Sequence, residues 1–237
     1  MAMAAECVFC ISKTTKKDLQ EFLLQTGCRI PRLVQITLGT VNRKVNCLSA
    51  SGDLKRKYIL YVSTIEARKN HDILYKAYHR LASQFPESKL PQLVFVGMNG
   101  WWVGDLLHQI STDPLVRDLI VIKGRVTDAE LGELYKNCLF TVFPSNYEGY
   151  GLGVAESLSY GKTCLISNQG ALNEFDEKYV LFADPWDVNQ WCEGIKKLLD
   201  NDFRCQIEKT IQKTFVFTPW SDSGSVVLDV INQDARK

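Results

Sequence analysis

The sequence predicts an α/β chain built on a doubly wound parallel sheet. Three observations predict it. Short strand-like runs alternate with helical patterns along most of the chain. Those runs are apolar almost throughout rather than at every second position, the mark of a sheet covered by helices on both faces. Glycine-rich loops follow two of the runs, at the strand ends where such sheets hold ligands.

Each element has its own signal. Residues 6–11 are short and apolar, which reads as a strand. Ser12 is placed to cap a helix through Lys16-Lys17-Asp18-Leu19-Gln20-Glu21-Phe22-Leu23-Leu24, with Gly27 as its stop. Residues 33–36 read as a second strand, and 39–57, polar and containing Gly52, as a linker. Tyr58–Val62 is a strand candidate. The helix expected over 70–85 carries Ile73, Leu74, Ala77, Tyr78 and Leu81 on one face, and Pro86 ends it. Gln92–Val96 is a strand leading to Gly97, and 119–122 is another, closed by Gly124. Thr127-Asp128-Ala129-Glu130 is a capping-box pattern that starts a helix. Residues 139–143 form a strand stopped by Pro144. A helix over 151–160, strands at 163–167 and Val180–Ala183, and a helix over 187–199 complete the series. No internal repeat or low-complexity stretch interrupts it.

Composition narrows the class. Of 237 residues, 46% are hydrophobic, which supports a buried core and excludes disorder as the main state. With 28 basic and 27 acidic residues the net charge is +1, so nothing demands a polyanion and no nucleic-acid partner is expected. No apolar run approaches the roughly 18 residues of a spanning helix. Met1-Ala2-Met3-Ala4-Ala5, leading into Glu6, lacks the regions of a signal peptide. A cytoplasmic protein is therefore expected, with peripheral membrane contact left open. Eight cysteines, at 7, 10, 28, 47, 138, 164, 192 and 205, are expected as buried free thiols. Cys7 and Cys10 have C-x-x-C spacing but lie in a strand-like run without a second pair, so neither metal nor redox chemistry is assigned to them.

Three loops carry candidate chemistry. The first, Ser63-Thr64-Ile65-Glu66-Ala67-Arg68-Lys69-Asn70, places two cations just before a helix start, where free N–H groups and the helix dipole favour anions. Read from the residues alone, this is either a diphosphate site or a solvated basic pair. The second, Val96-Gly97-Met98-Asn99-Gly100-Trp101-Trp102, permits close backbone approach, and its tryptophans either line a pocket or pack on the sheet edge. It is neither a G-x-G-x-x-G fingerprint nor a G-x-x-x-x-G-K-[ST] loop. The third, Phe143-Pro144-Ser145-Asn146-Tyr147-Glu148-Gly149-Tyr150-Gly151-Leu152-Gly153-Val154-Ala155-Glu156, puts three glycines in five positions between a strand and a helix. Its N–H groups can reach phosphate or sugar oxygens. Glu148 and Glu156 can each accept two hydroxyl hydrogen bonds, as a vicinal diol offers. Glu156 is alternatively a solvent-facing helix residue, although Val154, Ala155 and Leu158 around it are apolar or small. His71, His79 and His108 lie on or beside helices and read as surface or packing residues.

The two glutamates eight positions apart in the third loop resemble the signature of the retaining glycosyltransferases of family 4, which have the GT-B fold. Residues 62–70 look like that family's donor-phosphate stretch, and Val96-Gly97-Met98-Asn99-Gly100-Trp101 like its next loop. Lys123-Gly124-Arg125-Val126-Thr127-Asp128-Ala129-Glu130-Leu131 resembles its base-binding strand end, and Asp184-Pro185-Trp186-Asp187 its late D-P-x-D turn. The matches occur in order over roughly 58–200 and are most similar to a bacterial mannosyltransferase-like subgroup. The resemblance implies a Rossmann-like domain binding a nucleotide-diphosphate sugar. It implies that Lys69 and Arg68 contact the diphosphate and that Glu156 holds the ribose. Glu148 and the N–H groups of Gly149, Tyr150 and Gly151 would engage the sugar or its phosphate, and Gly124 and Arg125 would border the base. It implies no bound metal or other cofactor, with cations and helix dipoles stabilising the leaving diphosphate. Transfer would retain configuration through an oxocarbenium-like, front-face step, so Glu148 is not assigned as a nucleophile. One departure is plain: where many relatives carry glycine-arginine after the first strand, this chain has Ser63-Thr64, and Arg68 is the candidate to compensate.

The resemblance also divides the chain. Residues 1–49 resemble the end of the acceptor-side domain and the hinge, with 5–16 like its last strand and helix and 36–40 like the junction. Residues 50–200 are the donor-binding domain. Residues 201–237 resemble the C-terminal helices that cross back, beginning near Phe217-Thr218-Pro219-Trp220-Ser221. The expectation is a donor half, as a fragment or as one subunit of a split enzyme, joined by an acceptor-domain partner and acting on a glycan or lipid-linked acceptor. GDP-mannose is the first donor considered, with UDP-sugars open. A non-catalytic binding module and an epimerase of the same fold are the competing readings.

Overall fold

The structure, a computed structural model, describes residues 5–40, 56–85 and 90–234. Cys47, Gly52, most of the expected linker and Pro86 lie outside the described residues. Strands β1 (Cys7–Cys10) and β2 (Arg32–Gln35) flank helix α1 (Lys13–Gln25) and pair in parallel, Cys7 opposite Arg32. The main body follows as β3 (Tyr58–Val62), α2 (His71–Gln84), β4 (Gln92–Val96), α3 (Gly104–Thr112), β5 (Ile120–Lys123), α4 (Asp128–Asn137), β6 (Thr141–Phe143), α5 (Leu152–Ser159), β7 (Cys164–Ser167), β8 (Val180–Ala183) and α6 (Val188–Leu199). Two further helices, α7 (Asn201–Thr214) and α8 (Trp220–Asp234), end the described chain. Among the described residues no helix is long and apolar enough to cross a membrane.

Strands β3 to β8 form one six-stranded parallel sheet in the order β5-β4-β3-β6-β7-β8. Its strands are apolar at consecutive positions because both faces are covered. Ile59 and Tyr61 point into the core shared with α2 and α6, whereas Tyr58 and Leu60 point into a second core with Tyr135 and Cys138 from the α4 side. The order reverses between β3 and β6. That junction opens a crevice at the carboxyl ends of the strands, where doubly wound sheets bind ligands.

Local chemistry explains the helices. All five apolar positions of α2 (Ile73, Leu74, Ala77, Tyr78, Leu81) are buried. Ser12 caps α1 in a box with Thr15, and Thr127 caps α4 in the predicted box with Glu130. Helix α3 carries no sequence signal of its start: it follows Val103 with no side-chain cap. Of the seven described cysteines, four are buried and three half-buried. Burial pushes the Cys138 thiol up to about 12 and the Cys164 thiol up to about 11, so both stay protonated.

Candidate active site

The loops leaving β3 and β6 face each other across the crevice, and their side chains meet. The β3 loop ends in a single 3-10 turn over Ala67–Lys69, then Asn70 in the left-handed region (φ 56°), which turns the chain into α2. The Asn70 amide donates to the carbonyls of Pro144 (3.2 Å) and Pro185 (2.8 Å), and Asn146 N–H donates to Arg68 C=O (2.9 Å). The two loops are thereby locked in one register, and a cation–carboxylate cluster forms between them.

Lys69 Nζ lies 2.5 Å from Glu148 Oε1, both side chains being more than four-fifths buried. Arg68, half exposed, reaches Glu148 Oε2 at 3.4 Å, the Tyr147 carbonyl at 3.0 Å and Glu66 Oε1 at 2.8 Å. Of the two readings of the basic pair, the solvated one does not describe Lys69, whose ammonium is held inside the crevice. Ser145, fully buried, donates to Glu148 Oε1 at 2.7 Å, and Tyr61, also fully buried, donates from its hydroxyl to the Lys69 carbonyl at 2.7 Å. Burial raises the Tyr61 hydroxyl pKa further, so it serves as a donor.

Beneath Lys69, the His71 ring packs 4.4 Å from the Tyr61 ring and edge-on to Phe95. Ser63 Oγ donates to Thr64 C=O, which leaves its oxygen to accept from His71 Nε2 at 3.4 Å. Burial, then the nearby Lys69 charge, lowers the His71 pKa from 6.5 to about 3, so the ring is neutral.

Lys69 and Glu148 line a cleft of about 300 Å³ with Val62, Ser63, Phe143 and the run Gly149–Val154. Gly151 has φ +104°, and a Cβ there would come within 2.7 Å of Leu172. A Cβ on Gly153 would come within 2.5 Å of the Phe143 ring. Glycine therefore lets the backbone at the start of α5 lie close to the cleft, presenting N–H groups that no side chain caps. A larger hollow of about 410 Å³ lies at the opposite, amino-terminal edge of the sheet. Its Arg204 guanidinium is already committed to Leu198 C=O and Asn201 Oδ1, both at 2.7 Å, and strand amino ends are not where such sheets bind ligands.

The structure thus brings Lys69, Arg68, Glu148, Gly149, Tyr150 and Gly151 together. Glu156 lies apart on α5, half-buried, and accepts from Tyr135 Oη at 3.1 Å, where Tyr135 stacks on Tyr160. It does not face bulk solvent. Gly124 and Arg125 follow β5 at the sheet's edge and, like Glu156, do not line the Lys69–Glu148 cleft. Trp101 and Trp102 fit neither expectation. They are 79% and 91% exposed, and Trp102 takes a left-handed conformation (φ 57°). Sequence reasoning passed over Ser145 and Tyr61, the one placed in the third loop and the other in the Tyr58–Val62 strand.

A Rossmann-like parallel sheet with its polar cleft at the strand-order reversal is one half of the GT-B glycosyltransferase fold. Solved structures share it: a sucrose-phosphate synthase from Thermosynechococcus elongatus (TM-score 0.76, 21% identity, 98% of this chain and 59% of that one) and Anabaena HepE in complex with UDP-glucose (TM-score 0.77, 16% identity, 97% and 64%). At such identities the likeness is one of fold. The family is fixed by sequence: residues 49–214 match the family described as Glycosyl transferases group 1, and the chain belongs to it. Among its relatives, the O-antigen chain mannosyltransferase B of Escherichia coli is 35% identical over 145 residues, covering 61% of this chain and 37% of that protein. A serotype-specific mannosyltransferase of Escherichia coli is 25% identical over 207 residues, covering 84% and 25%. The chain therefore spans about a quarter to two fifths of the length of these relatives.

Proposed function

We propose that this chain is the donor-binding half of a retaining hexosyltransferase that takes the sugar from a nucleotide-diphosphate sugar, GDP-mannose before UDP-sugars. The observation that carries the reading is the convergence of Lys69 and Arg68 on Glu148, beside the uncapped, glycine-lined start of α5. The names of the two Escherichia coli relatives support mannose. On this reading the diphosphate draws Lys69 and Arg68 into contact with its oxygens. Glu156 holds the ribose hydroxyls, and Gly124 and Arg125 border the base. Glu148, with the N–H groups of Gly149, Tyr150 and Gly151, engages the sugar end. As the bond from the anomeric carbon to the diphosphate breaks, negative charge grows on the leaving group. The two cations and the α5 dipole stabilise it, so the reaction needs no resident metal. Transfer on the same face of an oxocarbenium-like sugar retains configuration without a covalent intermediate on Glu148.

The acceptor is a glycan or a lipid-linked glycan, held by an acceptor-side domain in the same polypeptide or a partner chain. The reaction belongs at the cytoplasmic side, with peripheral membrane contact. A second reading, a non-catalytic nucleotide-sugar-binding module or partner subunit of a split enzyme, takes its support from Ser63-Thr64, which stands where many members of the family carry glycine-arginine. The test is calorimetric titration of the chain with GDP, UDP and ADP, beside a Lys69→Ala/Glu156→Ala variant. Saturable binding of one nucleotide, lost in the folded variant, supports the donor site and names its base. No binding by the folded wild type removes it. Transfer to a mannan-type acceptor, with and without an added acceptor-side domain, separates the two readings.

A further inference from the structure

The Lys69–Glu148 pair has a third partner whose protons can be accounted for. Glu148 Oε1 receives two donors, Lys69 Nζ at 2.5 Å and Ser145 Oγ at 2.7 Å, while Oε2 is turned toward Arg68 at 3.4 Å. A carboxylate only accepts, so the single Ser145 proton goes to Glu148. A carbonyl likewise only accepts, so the single Tyr61 proton goes to Lys69 C=O. The 3.5 Å approach of Tyr61 Oη to Ser145 Oγ is then a contact of two oxygens whose protons are directed elsewhere. Ser145 is fully buried, and its hydroxyl meets Glu148 and Tyr61. Its hydroxyl serves the carboxylate rather than capping a helix or closing a turn.

Lys69 and Arg68 cannot hold Glu148 in place throughout a binding event. An arriving diphosphate carries more negative charge than one carboxylate and competes for both cations. Ser145 does not compete, because it is enclosed behind Glu148. We propose that Ser145 is a positioning residue for the sugar end of the donor site: it anchors Glu148 through Oε1 when the cations turn to the diphosphate, so that Oε2 meets a hydroxyl of the donor sugar. The proposal rests on the donor-site reading above and adds to it a residue that touches neither substrate nor diphosphate.

The test must separate sugar recognition from diphosphate binding. Wild type, Ser145→Ala, Glu148→Gln and the double variant are titrated calorimetrically with GDP and GDP-mannose, and in parallel with UDP and UDP-glucose. Ser145→Ala is expected to weaken the preferred sugar nucleotide about tenfold, the value of one hydrogen bond to a charged group, and to leave the free nucleotide within about twofold. In the Glu148→Gln background the serine change should add less than about twofold, since the residue it acts through is already altered. Ser145→Thr, which keeps the hydroxyl, should recover most of the loss. If the alanine variant does not fold, Ser145→Cys fills the same space with a weak donor and must show the same selectivity. Equal weakening of both ligands, no weakening, or full additivity with Glu148→Gln overturns the proposal. A folded wild type that binds no nucleotide instead sinks the donor-site reading, and this inference with it.

Discussion

At Lys69 and Arg68 the same charge has two different energetic meanings. Lys69 and Glu148 are 18% and 17% exposed, so removing the ammonium strands a carboxylate that water reaches poorly. Lys69→Met should cost about 1–3 kcal/mol in the denaturation midpoint, the range for a largely buried polar group that loses a partner. Arg68 is 50% exposed and its pairs are screened, so Arg68→Met should cost under about 1 kcal/mol. Both should weaken nucleotide binding, Lys69→Met by at least about tenfold. Equal stability losses would contradict the burial argument. His71 gives a separate prediction with a definite sign. Its pKa falls from 6.5 to about 3 on folding, so between those values the unfolded chain binds the extra proton. The contribution of His71 is complete above about pH 6.5 and is lost as pH falls toward 3. Thermal melts from pH 7 to pH 4 should show falling stability, and His71→Phe, which keeps a ring against Tyr61 and Phe95, should flatten the slope. An unchanged slope would mean that other groups carry the acid sensitivity.

Among the elements, the β4 loop is held where backbone meets backbone. Gly97 sits at φ +154°, and a Cβ there would lie 1.9 Å from Ser63 C=O, part of the cleft wall. Gly97→Ala should therefore destabilise by about 2–4 kcal/mol and displace the β3 loop, costing nucleotide affinity as well. Gly124→Ala, with nothing within 4 Å, is the stability control, expected to leave the unfolding free energy near that of wild type. This contrast also shows what the sequence makes legible. Elements written in local spacing are readable: the α2 face every third or fourth residue, the Thr127–Glu130 box, Ser12 before α1. Helix α3 was not readable because Val103 supplies no cap and the stretch before it reads as loop. The candidate site was legible as parts. Lys69 and Glu148 each stood on a loop after a strand, but their contact spans 79 residues and exists because β3 and β6 are neighbours in the sheet. Ser145 has no period or motif of its own, and only burial and direction reveal its work. The exposed Trp101 and Trp102 fail in the opposite way: their chemistry suggested a pocket or the sheet edge, and both stand in solvent.

For the whole molecule, the question is how the 5–40 segment is fastened to the body built on the six-stranded sheet. Helix α1 begins with three N–H groups that lack intrahelical partners, and all three are satisfied. Lys13 and Thr14 N–H donate to the Glu174 carboxylate at 3.1 and 2.7 Å, the Thr14 hydroxyl adds a third bond at 2.7 Å, and Thr15 N–H goes to Ser12 Oγ. Glu174 lies between β7 and β8 of the six-stranded body, so one carboxylate caps a helix of the other part. Near this cap, Tyr147 donates to Asp18, and the Tyr150 hydroxyl to Leu38 C=O, so α1 and the chain after β2 bear on the residues that flank Glu148. Thr40 N–H donates to Thr218 C=O just before α8, and Ser223 of α8 donates to Thr37 C=O. Removing Glu174 should thus loosen α1 while leaving the sheet intact, because the core of β3 and β4 makes no use of it. In Glu174→Ala, hydrogen exchange at the Lys13 and Thr14 amides should accelerate by about fivefold, corresponding to a cap worth about 1 kcal/mol. Thr15, capped by Ser12, should change less, and Leu60 and Val94 not at all. If exchange also quickens at Tyr147 and Gly149, the 5–40 segment braces the loop after β6, and its position is felt at Glu148. Acceleration everywhere would show that the two parts unfold as one unit, and no acceleration at Lys13 and Thr14 would show that Glu174 holds nothing.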